Sequence, residues 1–244
     1  MPTTKRQRGM QMSERKVLDL YSGQGTVDWN SVVRSGQIAF TIIKATEGAT
    51  VTDSRVERNA LRAAVAGLPV SYYHFGRPDV GEPTPPGDAR QEAEHFLSTI
   101  ADLTRPSKQT FQSGRTAAVW LDLEKPLERW NERDGFQWVS TFLALVERQY
   151  PVGLYTSRAW LEREVTPLAS SMGQLLRRPD GSQRAIWVAR YGANDGQVPD
   201  RSKHNPDEKV PTEWGSYDLW QYTSQGDLPG VPTPCDLSVA RLRP

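Results

Sequence analysis

The residues with the clearest chemical potential are acids. Asp122 and Glu124 stand two apart at the end of TAAVWLDLE (116–124), a run that is otherwise nearly all apolar. Strand side chains alternate, so residues i and i+2 share a face, and both carboxylates point the same way. Two acids that close resist double ionisation, so one holds its proton to higher pH than usual. A protonated acid beside an ionised one is what glycoside hydrolysis needs. The spacing alone also fits two solvated acids that cap a loop or pair with arginine. The apolar run, and further polar residues at other strand ends, tilt the reading towards chemistry. Those are Asp19, Lys44 with Glu47, Tyr73 with His74, and Asp236 in the last strand. Each has a plainer reading. Asp19 can cap a turn before Gly23 and Gly25, Asp236 can pair with Arg241 or Arg243, and His74 can be a hydrogen-bonded core histidine.

These groups meet only if the elements carrying them share one end of a fold. VLDL (17–20), IAFTIIKA (38–45), VSYYHF (70–75), TAAVWLDLE and VGLYTS (152–157) read as strands. Helical patterns follow them. Asp28 and Trp29 cap and anchor a short helix. Asp53 caps a second, with Val56, Ala60, Ala63 and Ala64 at helical spacing, which Gly67 and Pro69 stop. Asp88 opens a third, Trp138 to Val146 mark one running to about Tyr150, and a short one follows Ser157. AIWVARY (185–191), YDLWQYTS (217–224) and CDLSVAR (235–241) then succeed one another as strands, with no convincing helix between the first two. Repeated βα units imply a parallel sheet covered by helices, and this length without a linker favours one α/β, TIM-like barrel. Segments 78–87, 104–115, 170–184 and 192–215 read as polar loops. In a parallel barrel, functional groups gather at the C-terminal ends of strands.

Composition removes several alternatives. The 30 Lys+Arg against 29 Asp+Glu leave a charge of +1, which argues against nucleic-acid binding through a basic face. A single cysteine, Cys235, excludes an internal disulfide framework and reads as a small buried residue. His74, His95 and His204 form no HxxH, HxxxH or HExxH pair, so a zinc hydrolase is disfavoured and no metal or cofactor is expected. No stretch approaches the ~18 apolar residues of a membrane span, so no membrane insertion is expected. Residues 1–15 read as a flexible, basic leader without the apolar stretch of a secretory signal, and residues 16–244 as one domain. Eight tryptophans suit a large core or a groove that stacks sugar rings. Of the strand aromatics Trp187, Trp220, Tyr191 and Tyr222, some must be core, and those at the barrel mouth could stack on sugars.

Taken together, seven segments resemble glycoside hydrolase family 25, the Chalaropsis-type lysozymes, over about Val17 to Arg241. LDLYSGQGTVDW (18–29) is similar to the family's opening Asp-x-Ser segment, and FTIIKATEG (40–48) to its second-strand signature. AGLPVSYYHFGRP (66–78) and WLDLE (120–124) resemble its third and fourth strands. IWVARY (186–191), LWQYTSQGDLPGV (219–231) and CDLSVA (235–240) resemble its closing segments. Two departures stand out: Tyr21 occupies the place of the opening serine, and Ser238 that of a terminal asparagine.

The resemblance implies a (β/α)5β3 barrel and an N-acetylmuramidase that cuts the β-1,4 bond between N-acetylmuramic acid and N-acetylglucosamine. Matched by motif, Asp19, Asp122, Glu124 and Asp236 form the acidic quartet. Glu124 falls on the general acid and Asp122 on the residue that assists the N-acetyl group or stabilises anomeric positive charge. Lys44, Tyr73, Tyr155, Trp187, Tyr191 and Gln221 fall on the substrate groove. The partner implied is a peptidoglycan glycan strand, bound by a monomer. The absent secretion signal and wall-binding module suggest a phage endolysin or virion-associated lysin, held in the host cytoplasm until lysis. An autolysin or an exported toxin fits the same residues. A chitinase-like family 18 enzyme does not, since Ala117 and Trp120 stand where two aspartates belong. A carbohydrate-binding or virion structural protein that kept the fold is the non-enzymatic alternative.

Overall fold

The computed structural model describes residues 15–78, 84–125, 131–157, 160, 173–203, 205, 215–232 and 234–243. Its strands are β1 (Arg15–Leu20), β2 (Ile38–Glu47), β3 (Val51–Thr52), β4 (Val70–Phe75), β5 (Gln109–Thr110), β6 (Thr116–Ala117), β7 (Val119–Leu123), β8 (Val152–Ser157), β9 (Ile186–Ala189), β10 (Leu219–Gly226) and β11 (Cys235–Ala240). Its helices are α1 (Trp29–Arg34), α2 (Val56–Val65), α3 (Pro85–Ala101) and α4 (Glu132–Val146). The main sheet runs β1-β11-β10-β9-β8-β7-β4-β2 and closes through β1 against β2. Neighbours are parallel except β11, which is antiparallel to both β10 and β1. Eight strands thus close a barrel of the α/β kind expected. The short helix expected after Ser157 falls mostly outside the described residues, as do His204 and residues 1–14.

Alternation along each strand sorts the apolar side chains into two cores. Inside the barrel lie Val17, Phe40, Ile42, Trp120, Trp187 and Leu219. Leu18, Ile43, Leu121, Val188 and Trp220 point the other way and pack against Ala60, Phe96 and Phe142 of the helices. All five residues of β7 are buried, as a strand covered on both faces requires. The six described tryptophans are all buried, so this aromatic load serves mainly the core. Trp120 meets Trp187 edge to face at 5.5 Å inside the barrel. A Cβ at Gly153 would sit 2.5 Å from the Trp120 ring, so only glycine lets β8 pass this indole.

Several local expectations need correction. Asp53 does not cap α2 directly. Its Oδ1 accepts from Arg55 N at 2.9 Å and its Oδ2 from Ser22 N at 2.8 Å, tying the loop after β1 to the helix start. Asp88 does not open α3: Thr84 is the N-cap, and Asp88 lies buried in the first turn, accepting the Trp138 indole N–H at 2.7 Å. Helix α4 stops at Val146, and turns carry the chain to Pro151. TAAVWLDLE is not one strand. It breaks at Ala118 into β6 and β7, and β6 pairs in a small second sheet with β5, which lies inside the expected 104–115 loop. The 170–184 loop carries an Arg177–Gln183 bridge. Asp28 does cap α1, accepting from Asn30 N and Ser31 N.

Candidate active site

The inward column of each strand changes character towards one end of the barrel. Val17 gives way to Asp19 in β1, Ile42 to Lys44 in β2, Trp120 to Asp122 in β7, and Leu219 to Gln221 in β10. β11 runs the opposite way, so its polar residue comes first: Asp236 enters the same layer and Ala240 ends among the apolar side chains. In register, Asp19 lies directly across from Asp236. Glu124 follows β7 and shares the side of Asp122.

The result is a cleft of about 240 Å³ at the C-terminal end of the parallel strands. It brings together Asp19, Asp122, Glu124 and Asp236 with Lys44, Tyr73, Tyr155, Trp187 and Gln221. Tyr191 stands beside it, 38% exposed, and reaches in through its hydroxyl. Tyr21 and Phe75 also line the cleft but are not among the expected groove residues. The strand period would have found both, since each lies two residues beyond a cleft residue, Asp19 and Tyr73 respectively. His74 points out of the barrel instead and is a fully buried core histidine. Of the aromatics singled out, Trp220 and Tyr222 belong to the outer core. Cys235 is buried.

Gln221 organises the polar layer. Its Nε2 donates to Asp19 Oδ1 at 2.9 Å, and its Oε1 accepts from the hydroxyls of Tyr155 at 2.9 Å and Tyr191 at 2.8 Å. Tyr155 lies 3.5 Å from Glu124 Oε1, a long contact. Ser238 accepts the Trp187 indole N–H at 3.0 Å, so the residue replacing the family's asparagine fixes a cleft wall. Lys44 Nζ donates to Glu47 Oε2 at 2.6 Å, and Arg77 grips the other oxygen of Glu47.

The acids pay for their position. Burial and the charge of Asp236 hold Asp19 well above the usual carboxylate range, although Gln221 opposes this. Burial and Glu124 do the same to Asp122, against the field of Lys44. Burial raises Glu124, and Tyr155 and Lys125 pull it back. Asp236 is pushed up to about 6 by burial and Glu124. Asp19 Oδ2 and Asp122 Oδ1 are buried and receive no hydrogen bond, although the Asp19 and Asp236 carboxyl groups share a proton between them, which holds Asp236 down. Such an arrangement can hold protons near neutral pH and still offer acceptor oxygens to a ligand.

The family model for glycosyl hydrolases family 25 matches residues 18–231. The chain is 28% identical over 223 residues to the autolytic lysozyme of Clostridium acetobutylicum, covering 91% of this chain and 54% of that protein. It is 26% identical over 221 residues to lysozyme M1 of Streptomyces globisporus, covering 88% and 63%. It thus spans less than two thirds of either curated relative. The crystal structure of the bacterial lysozyme from Streptomyces coelicolor shares its fold, with a TM-score of 0.68 at 24% identity and 93% and 92% coverage. A match that runs from the first barrel strand past β10 makes this chain a member of glycosyl hydrolases family 25.

Proposed function

We propose that the chain is a peptidoglycan hydrolase, an N-acetylmuramidase that cuts the β-1,4 bond between N-acetylmuramic acid and N-acetylglucosamine at the bacterial cell wall. One observation carries this reading. Acids from β1, β7 and β11 that are far apart in sequence converge in a single cleft, where burial raises the pKa of each. Glu124 is the proposed general acid. It is the acid beside Asp122 that remains partly open to the cleft, and its raised pKa keeps a proton ready for the glycosidic oxygen. Asp122 is the proposed partner of the reacting sugar. Its donor-free Oδ1 is placed to accept the acetamido N–H or to face positive charge developing at the anomeric carbon. Asp19 and Asp236 supply the surrounding negative field. Lys44, Tyr73, Tyr155, Trp187, Tyr191 and Gln221 form the proposed walls of the sugar groove. Residues 16–244 are read as the catalytic domain.

The finer reading, a phage-type lysin held in the host cytoplasm until lysis, is tested by the gene's neighbours. A holin gene beside it supports a lysin, and an interbacterial export cluster replaces it with a toxin.

Glu124→Gln tests the chemistry. Reducing-end release from purified walls should fall about a thousandfold, with the thermal midpoint and co-sedimentation with walls retained. Full activity in this variant overturns the assignment. Wild-type protein that binds walls without releasing reducing ends turns the reading to a carbohydrate-binding protein.

A further inference from the structure

Beside the acids, the cleft has a cationic corner built around one ring. Phe75 lines the cleft and lies in register with Asp122 on the neighbouring strand. Lys44 Nζ stands 4.7 Å from the Phe75 ring centroid, Arg77 Cζ 5.7 Å and Lys125 Nζ 5.8 Å. The ring gathers the three cations, of which the Arg77 side chain is 38% exposed and that of Lys44 15%. Only one carboxylate hydrogen-bonds them among the described residues: Glu47, which takes Lys44 on one oxygen and Arg77 on the other. Lys125 has no side-chain hydrogen bond or ion pair among the described residues. Its field reaches Glu124, and that of Lys44 reaches Asp122. The corner therefore holds excess positive charge immediately beside the proposed reacting acids.

The muramic sugar differs from its neighbour by one substituent, a lactyl ether at O3. That substituent ends in a carboxylate when bare and carries a peptide with its own carboxylates when substituted. We propose that Lys44, Arg77 and Lys125 form a carboxylate-binding subsite around Phe75 that receives this muramyl side chain. The inference rests on the peptidoglycan reading above and deepens it. Lys125 and Arg77 become specificity residues: they distinguish a muramic glycan from a neutral N-acetylglucosamine polymer without touching the scissile bond. Lysine and arginine suit this task because charge-assisted hydrogen bonds to a carboxylate are stronger than neutral ones.

Three synthetic substrates of equal length test it: a glycan with free lactyl carboxylates, the same glycan as lactyl methylamides, and one bearing an alanyl-glutamate dipeptide. Wild-type kcat/KM should favour a carboxylated form over the methylamide by about tenfold. Whichever of the two carboxylated glycans is preferred identifies the source of the anion. In Lys125→Gln the preference should shrink to less than about threefold, and raised salt should erode it in the wild type. Equal cleavage of all three by the wild type, or a preference untouched by Lys125→Gln, overturns the subsite. Calorimetric binding of the same glycans to Glu124→Gln reads the preference without turnover. A binding preference in a protein that cleaves none of them keeps the subsite and overturns only the hydrolase reading. No binding preference there overturns the subsite.

Discussion

Strand β4 separates two buried groups of ionisable side chains, and they are built on opposite principles. On its outer face, His74 is completely enclosed, and every polar atom of its ring is used. Its Nδ1 meets Thr46 Oγ1 at 2.7 Å and its Nε2 meets Glu92 Oε2 at 2.6 Å. Glu92 also accepts from Arg77 N at 3.0 Å, and Phe142 stacks on the imidazole at 4.9 Å. Burial pushes His74 down to about 3, so at neutral pH the ring is uncharged and donates from Nε2 to the carboxylate. On the inner face, Asp19 and Asp122 are almost as deeply buried, yet each keeps an oxygen without a donor. A satisfied network holds a fold together, whereas an unsatisfied one stores a cost that a ligand can relieve. The difference marks which buried charges the protein keeps for chemistry.

Substitutions on the two faces should therefore fail in opposite ways. Asp122→Asn should lower kcat on cell walls about a thousandfold while leaving the protein at least as stable as the wild type. The pH dependence gives the sign. Asp122 has a raised pKa in the folded state, so the folded protein binds more protons than the unfolded chain above about pH 4. Wild-type stability therefore falls as pH rises through that window, and the amide variant escapes this loss. Chemical denaturation should show the variant more stable at pH 7 by about 1–2 kcal/mol, with the gap closing near pH 4. A variant less stable than the wild type at pH 7 would mean that Asp122 belongs with His74 as a structural group.

Glu92→Ala probes the outer face. It removes the acceptor of the His74 Nε2–H and of the Arg77 N–H and leaves a cavity beside His74. The expected cost is about 3 kcal/mol, a fall of roughly 10 °C in thermal midpoint for a domain of this size. His74 adds a pH slope of the opposite sign to that of the cleft. Its folded pKa lies below the unfolded value near 6.5, so its contribution is present above that pH and is lost as pH falls towards about 3. The slope approaches about 1.4 kcal/mol per pH unit within that window. His74→Gln should flatten it, and a slope that survives this change would assign the acid sensitivity to another group.

Much of this contrast is readable in the residues themselves. A strand buried on both faces shows as the continuous apolar run before Asp122, and the period of two puts Glu124 on the same side. The helical repeats that cover the barrel show equally well. What escapes depends on partners distant in sequence. Asp88 reads as a helix cap because an acid suits a first turn, yet its partner is the Trp138 indole fifty residues on. Asp53 fails as a cap because the loop after β1 claims one of its oxygens. Asp236 reads alone as an arginine partner. Only barrel closure, with β11 antiparallel between β10 and β1, carries the first residues of that strand to the end where the parallel strands finish.

The smallest expected effect sharpens the comparison most, because it alters one hydrogen bond and one charge but no shape. Gln221→Glu keeps an acceptor for Tyr155 and Tyr191 but removes the N–H that reaches Asp19 Oδ1. That N–H opposes the burial that raises Asp19, so its loss, with a new neighbouring charge, should drive the Asp19 pKa higher. If Asp19 must be ionised to supply the negative field, kcat/KM at neutral pH should fall about tenfold, and the acid limb of its pH profile should move to higher pH. Gln221→Leu, which cannot add charge, should move that limb in the same direction by less. An acid limb that stays in place in both variants would remove Asp19 from the working set of acids. It would leave Asp19 as a buried group whose unpaired oxygen has no role in turnover.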